Sequence, residues 1–231
     1  MNSIQAIFVK QLKDIFKNRM VLIQFVVFPL VAFVFTELVA VPNADIPDSM
    51  FVTTFAGIFA GMTVLTTTAG IIAEDRERKS LRFLVMAGVR PYQYMLGVGG
   101  VMLAASLIVS VVFGLMGGFA AMDFGKFVAA LMLGSVASML LGGAVGMLAK
   151  NQQSATALAM PIGMVLGFTP MLALFNGTVQ RIFGVFYTMQ VNTLVNDFSA
   201  GFAKPALIIL ANVVVFGALF ALAYNKKGLR S

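Results

Sequence analysis

Six stretches of this chain run for at least 17 residues without an aspartate, glutamate, lysine or arginine, at 20–36, 49–73, 91–122, 127–149, 151–180 and 205–225. A bilayer core about 30 Å thick is crossed by about 20 apolar residues in helical form. Each backbone amide or carbonyl left unpaired in hydrocarbon costs several kcal/mol, and none of the six stretches shows the dyad alternation of a membrane barrel, so each is expected to be a helix. The expected fold class is an all-α integral membrane protein with spans at about 20–41, 51–73, 94–118, 127–149, 155–175 and 205–224.

Only 11% of the residues are charged, against roughly a quarter in soluble domains, and they sit in short islands. No stretch is polar enough to cover a separate soluble core, so residues 1–231 are read as one transmembrane domain. Cysteine and histidine are both absent. A disulfide framework, a thiolate metal site, a Ser-His-Asp hydrolase and a rhomboid-type protease are thereby disfavoured, and no metal site is expected. The net charge of +7 lies beside apolar runs, where anionic lipids and topology account for it better than nucleic acid.

The basic residues set an orientation, because connections rich in Lys and Arg stay in the cytoplasm. With a cytoplasmic N-terminus, thirteen Lys and Arg (Lys10, Lys13, Lys17, Arg19, Arg76, Arg78, Lys79, Arg82, Arg90, Lys150, Lys226, Lys227, Arg230) fall inside and three (Lys126, Arg181, Lys204) outside. An even number of spans places both termini in the cytoplasm. The first apolar run is too long for a signal peptide and has no small-residue cleavage pattern after it, so it is expected to remain as a span.

Two flanking segments carry helical periodicity. Ile4, Ile7, Phe8, Leu12, Ile15 and Phe16 share one face of an interfacial amphipathic helix at 3–18, opposite Lys10, Lys13, Asp14 and Lys17. Residues 176–204 are too long for a turn and too apolar for a solvated loop. Phe183, Phe186, Tyr187, Leu194, Val195 and Phe198 predict one or two short helices on or in the outer leaflet.

The strongest local signal follows the second span: Glu74, Asp75, Arg76, Glu77, Arg78, Lys79, Ser80 and Arg82 are polar or charged, and Leu81, Leu84 and Val85 give an apolar face. A solvated loop obeying the positive-inside rule would need only the basic residues; three carboxylates argue for an amphipathic docking element. This island, together with Ala87-Gly88-Val89-Arg90-Pro91 and on to Gly97, resembles the cytoplasmic loop of type-2 ABC exporter permeases. Lys79-Ser80 stands where that family often has Gly-Thr, and Gly97-Val98 where it often has Gly-Lys. The resemblance implies that residues 74–88 form a coupling helix seated on an ATP-binding subunit and that the N-terminal helix flanks the same interface. It implies two ATP-binding subunits, which carry the ATP and Mg, a second permease copy or paralogue, and a prokaryotic plasma membrane. No cofactor or catalytic residue is expected on this chain.

The spans themselves agree. At hydrocarbon depth the one carboxylate is Glu37, near the outer end of the first span, and no Lys, Arg, Asp or His is present. Proton-coupled carriers place ionisable groups at mid-membrane. A phosphate-binding Gly-rich loop is missing too, so uphill transport would need a nucleotide-hydrolysing partner. Gly57/Gly61, Gly114/Gly118, Gly142/Gly146 and Gly163/Gly167 form Gly-x-x-x-Gly pairs, read as packing faces within the bundle. A pathway lined by Thr63, Thr66, Thr67, Pro161 and Pro170 would suit an apolar or amphipathic cargo such as a drug, antimicrobial peptide, lipid or polymer; against this, threonine hydroxyls often only satisfy their own helix. The alternative function is a passive or regulated channel, which has no need of a docking helix between spans two and three.

Overall fold

The computed structural model describes residues 3–199 and 201–227; Arg230 lies outside them. Ten helices follow in chain order among the described residues: α1 (Ser3–Lys17), α2 (Arg19–Ala40), α3 (Ser49–Glu77), α4 (Ser80–Met86), α5 (Pro91–Met116), α6 (Ala121–Leu148), α7 (Gln152–Ala173), α8 (Gly177–Phe183), α9 (Tyr187–Asn196) and α10 (Ala203–Lys227). Six of them, α2, α3, α5, α6, α7 and α10, are long and apolar enough to cross a membrane. These are the expected spans, and no strand occurs among the described residues. Because the spans alternate in direction, twelve of the fifteen described Lys and Arg gather at one end of the bundle, called here the basic end.

Helix α3 is the central post. In its most apolar stretch 89% of the residues are buried, against 17% for α2 and 22% for α10, which face outward for much of their length. Small residues explain its position, since helices gain little hydrophobic drive toward one another in lipid and close backbone approach must supply the contact. A Cβ on Gly146 of α6 would stand 2.6 Å from the Ala69 carbonyl oxygen of α3, and one on Gly142 would meet the Leu65 carbonyl. The Gly163/Gly167 pair of α7 rests on Met62, Ile58 and Gly61 of the same post. These pairs are seams within one chain.

Two features depart from regular helices. A π turn interrupts α3 at Phe59–Thr63, and another ends α2 at Thr36–Ala40. A π turn breaks the i→i−4 ladder and is common at functional positions. In α3 the carbonyl of Ala60 accepts from Ser138 Oγ of α6, so the disturbed backbone finds a partner within the bundle.

The segment between α7 and α10 holds two short helices, of which α9 enters the bundle. Helix α9 begins with Tyr187, whose hydroxyl lies 2.6 Å from Ser138 Oγ and 3.5 Å from the Gly61 carbonyl, near the middle of α6 and α3. It ends at Asn196, which accepts from Thr53 Oγ1 at 2.9 Å near the opposite end of α3. Ten residues of helix rise about 15 Å, half the thickness of a hydrocarbon core about 30 Å deep. Helix α9 therefore runs inside the bundle along half the length of a span, while α8, with no buried residue, stays at its surface.

Helix α1 is also more deeply seated than its periodicity suggests. Ile7, Gln11 and Ile15 form its buried stripe, while Phe16, expected on the apolar face, is 70% exposed. Gly97 and Gly100 of α5 leave room for Ile7 and Phe8, so α1 packs on the bundle as well as lying at its edge.

Candidate functional site

The charged island does not form one helix over 74–88. Glu74 to Glu77 are the last turn of α3, and a left-handed residue, Lys79 at φ 60°, separates them from α4. In an α-helix successive side chains point about 100° apart, so three consecutive residues on a central post reach three different neighbours. Asp75 is buried and accepts from Lys10 Nζ of α1 at 2.5 Å, from Ser80 Oγ of α4 at 2.9 Å and from Tyr94 Oη of α5 at 2.8 Å. Arg76 donates to the carbonyls of Met147, at 2.6 Å, and Ala149, capping the C-terminus of α6. Glu77 accepts from the backbone amide of Gln152, at 3.1 Å, at the start of α7. Glu74 pairs with Arg78 at 2.7 Å on the exposed side.

Helix α4 is closed by a Schellman turn. Gly88, at φ 79°, donates to the Val85 carbonyl and Val89 donates to that of Leu84, both at 3.0 Å. Its inward side is Leu81, which is fully buried, with Leu84 and Val85 packed partly against the core. The expected docking face of Leu81, Leu84 and Val85 is thus turned into the chain's own bundle, because a seven-residue helix on a membrane-embedded post has to bury one side locally. The residues it displays outward are Phe83, 66% exposed, and Met86, 58% exposed, flanked by Arg82.

A groove runs up from the basic end between α2, α3 and α7. Three cavities of about 490, 660 and 190 Å³ share lining residues in sequence, the first two through Asn18, Met20, Val21 and Ile71, the last two through Gln24, Thr66, Thr156 and Met160. Thr63, Thr66 and Thr67 line it, whereas Pro161 and Pro170 do not. Thr66 returns its hydroxyl to the Met62 carbonyl at 2.9 Å, while Thr67 donates to Gln24 Oε1 at 2.7 Å. Gln24 is the side chain that sequence reasoning passed over; as the one amide in the apolar run 20–36 it carried its own signal.

Tyr94, Tyr187 and Ser138 were likewise not legible as site residues, since their roles depend on contacts between elements distant in sequence. Tyr187 is fully buried, and its hydroxyl serves as a hydrogen-bonding group between α9, α6 and α3. Among the described residues no group of three or more Asp or Glu is placed to hold a metal ion.

A family model described as "ABC-2 family transporter protein" matches residues 48–223. No curated protein matches the chain.

Proposed function

This chain belongs to the ABC-2 family of transporter proteins and is a membrane-spanning subunit of an ABC transporter, and we propose that it works as an exporter permease driven by separate ATP-binding subunits. In this reading the basic end faces the cytoplasm, as the positive-inside rule requires. Two permease copies join two ATP-binding subunits, and an amphipathic or hydrophobic compound moves outward. ATP and Mg belong to the partner subunits.

The observation that carries the reading is the mounting of α4. It stands at the basic end with Phe83 and Met86 outward, and its first residue, Ser80, shares Asp75 with α1 and α5. The adjoining Arg76 and Glu77 hold α6 and α7. A displacement applied to α4 by a nucleotide-driven partner therefore has a direct polar route into four other helices and the post itself. Glu74, Asp75, Arg76, Glu77, Arg78 and Lys79 serve in this scheme mainly as the transmission, and Phe83, Met86 and Arg82 as the contact.

The test separates contact from transmission. F83E/M86E places two carboxylates on the outward face and touches none of the polar knot. The expected result is a normally inserted protein that no longer co-purifies with an ATP-binding subunit from native membranes, whereas the unaltered chain retains one with vanadate-sensitive ATPase activity. Undiminished co-purification of F83E/M86E would remove α4 as the docking element.

A further inference from the structure

Helix α10 faces outward for most of its length, and its inward side is a narrow stripe. Pro205, Ile209, Phe216, Phe220 and Tyr224 are its buried residues, and the last three follow one another at four-residue spacing on the same face. Between Lys204 and Asn225 the helix carries two polar side chains, Asn212 and Tyr224. Both reach a backbone carbonyl in a connection between other helices. Tyr224 Oη donates at 3.0 Å to the carbonyl of Val89, in the turn that leaves α4, and Asn212 Nδ2 donates at 2.9 Å to the carbonyl of Val185, in the turn that enters α9. The second hydrogen of the Asn212 amide returns to the Ile208 carbonyl at 2.8 Å, which fixes the amide to its own helix.

A carbonyl outside a helix has no ladder of its own to bond to, so in a membrane bundle a neighbouring side chain has to supply the donor. Ring contacts reinforce both ends. Tyr224 packs on Tyr94 with centroids 5.7 Å apart, and Tyr94 in turn donates to Asp75. Phe216 meets the ring of Tyr187 at 6.1 Å, and the hydroxyl of that tyrosine reaches Ser138 and the π turn of α3. Between these ends α10 runs over bare backbone: a Cβ on Gly143 of α6 would stand 3.0 Å from the ring of Phe220. A glycine seat offers no side chain to lock the helix against movement along its axis.

We infer that α10 is a tie rod between the turn after α4 and the turn before α9, with Tyr224 and Asn212 as its positioning residues. The two are twelve residues of helix apart, about 18 Å. A shift of α4 by a nucleotide-driven partner reaches the far half of the bundle through α10, and the deep end of α9 moves with it beside the π turn of α3. That use of the rod rests on the docking of α4 proposed above; the coupling of the two turns is a property of this chain alone.

The full chain, reconstituted in phospholipid nanodiscs without an ATP-binding subunit, is followed by hydrogen exchange in the segments 84–90 and 187–196. Y224F releases the basic end of the rod, and N212L/F216L releases the deep end. Y224F is expected to accelerate exchange in 187–196 about fivefold, within the range of coupling between distant sites. Coupling is reciprocal, so N212L/F216L should accelerate 84–90 by a similar factor. Distant sites that share no partner act independently, and their factors multiply. Here they should not: once the deep end is released, adding Y224F should leave 187–196 no faster. E77A, which removes a contact of the basic end that leads to α7, is the control and should leave 187–196 unchanged. Acceleration confined to the mutated end, factors that multiply, or equal acceleration by E77A would overturn the inference. If one of the two releases prevents insertion, the other still reads the coupling from its own end. Loss of docking in F83E/M86E would not alter this result, and failure of the rod would leave α4 as the docking element.

Discussion

At the scale of single residues, Asp75 carries the most connections of any side chain at the basic end. Its two oxygens serve a cation, a serine and a tyrosine from three helices, with 8% of the side chain exposed. Removing a buried partner of this kind strands what remains, so D75A is expected to cost about 3 kcal/mol in detergent-solubilised protein. D75N, which keeps one oxygen as an acceptor, should cost less; thermal unfolding of the two variants side by side checks the order. Lys79 makes the opposite case. Its left-handed backbone at φ 60° costs an L side chain about 1 kcal/mol. K79G should therefore be more stable than the native chain in the same unfolding measurement, and a β-branched replacement less stable.

Among the elements, the re-entrant helix α9 depends on a small polar contact at its deep end. Ser138 has one proton, and it is directed to the Ala60 carbonyl; the Tyr187 hydroxyl supplies the proton for the 2.6 Å contact between them. Y187F keeps the ring and deletes the bond, an expected loss of about 1 kcal/mol. Hydrogen exchange of the α9 amides should accelerate while α3 and α6 stay protected. Unchanged exchange in α9 would show that ring packing, including the T-shaped contact with Phe216 at 6.1 Å, holds the helix without the hydroxyl.

Across the whole molecule, the six spans could be read from the chain because a 20-residue apolar run has few ways to satisfy its backbone in lipid. Of the four Gly-x-x-x-Gly pairs, Gly142/Gly146 and Gly163/Gly167 were legible as seams for the same reason, since small residues mark close approach, whereas a Cβ on Gly57 or Gly118 would meet nothing. What the sequence left hidden was direction around each helix axis. Leu81 looks outward in a linear pattern and is buried because α4 sits on α3; Gln11 looks polar and is buried beside Ile7 and Ile15. The groove was visible only as three threonines, since Gln24, Gln152 and Thr156 reach it from other spans. The π turn of α3 bears on a different matter, the response of the gene to losing a codon. Such a turn holds one residue more than the α-helix it interrupts, while the helix on either side keeps its phase with its neighbours. Deleting Ala60 should close the turn into regular helix, leaving Asp75, Arg76 and Glu77 aimed at their partners. Deleting Ala69 instead should rotate everything after it by about 100° and scatter those three contacts. In a scan of single-codon deletions read by the yield of folded, membrane-inserted protein, codons 59–63 should form a tolerant window inside an otherwise intolerant helix.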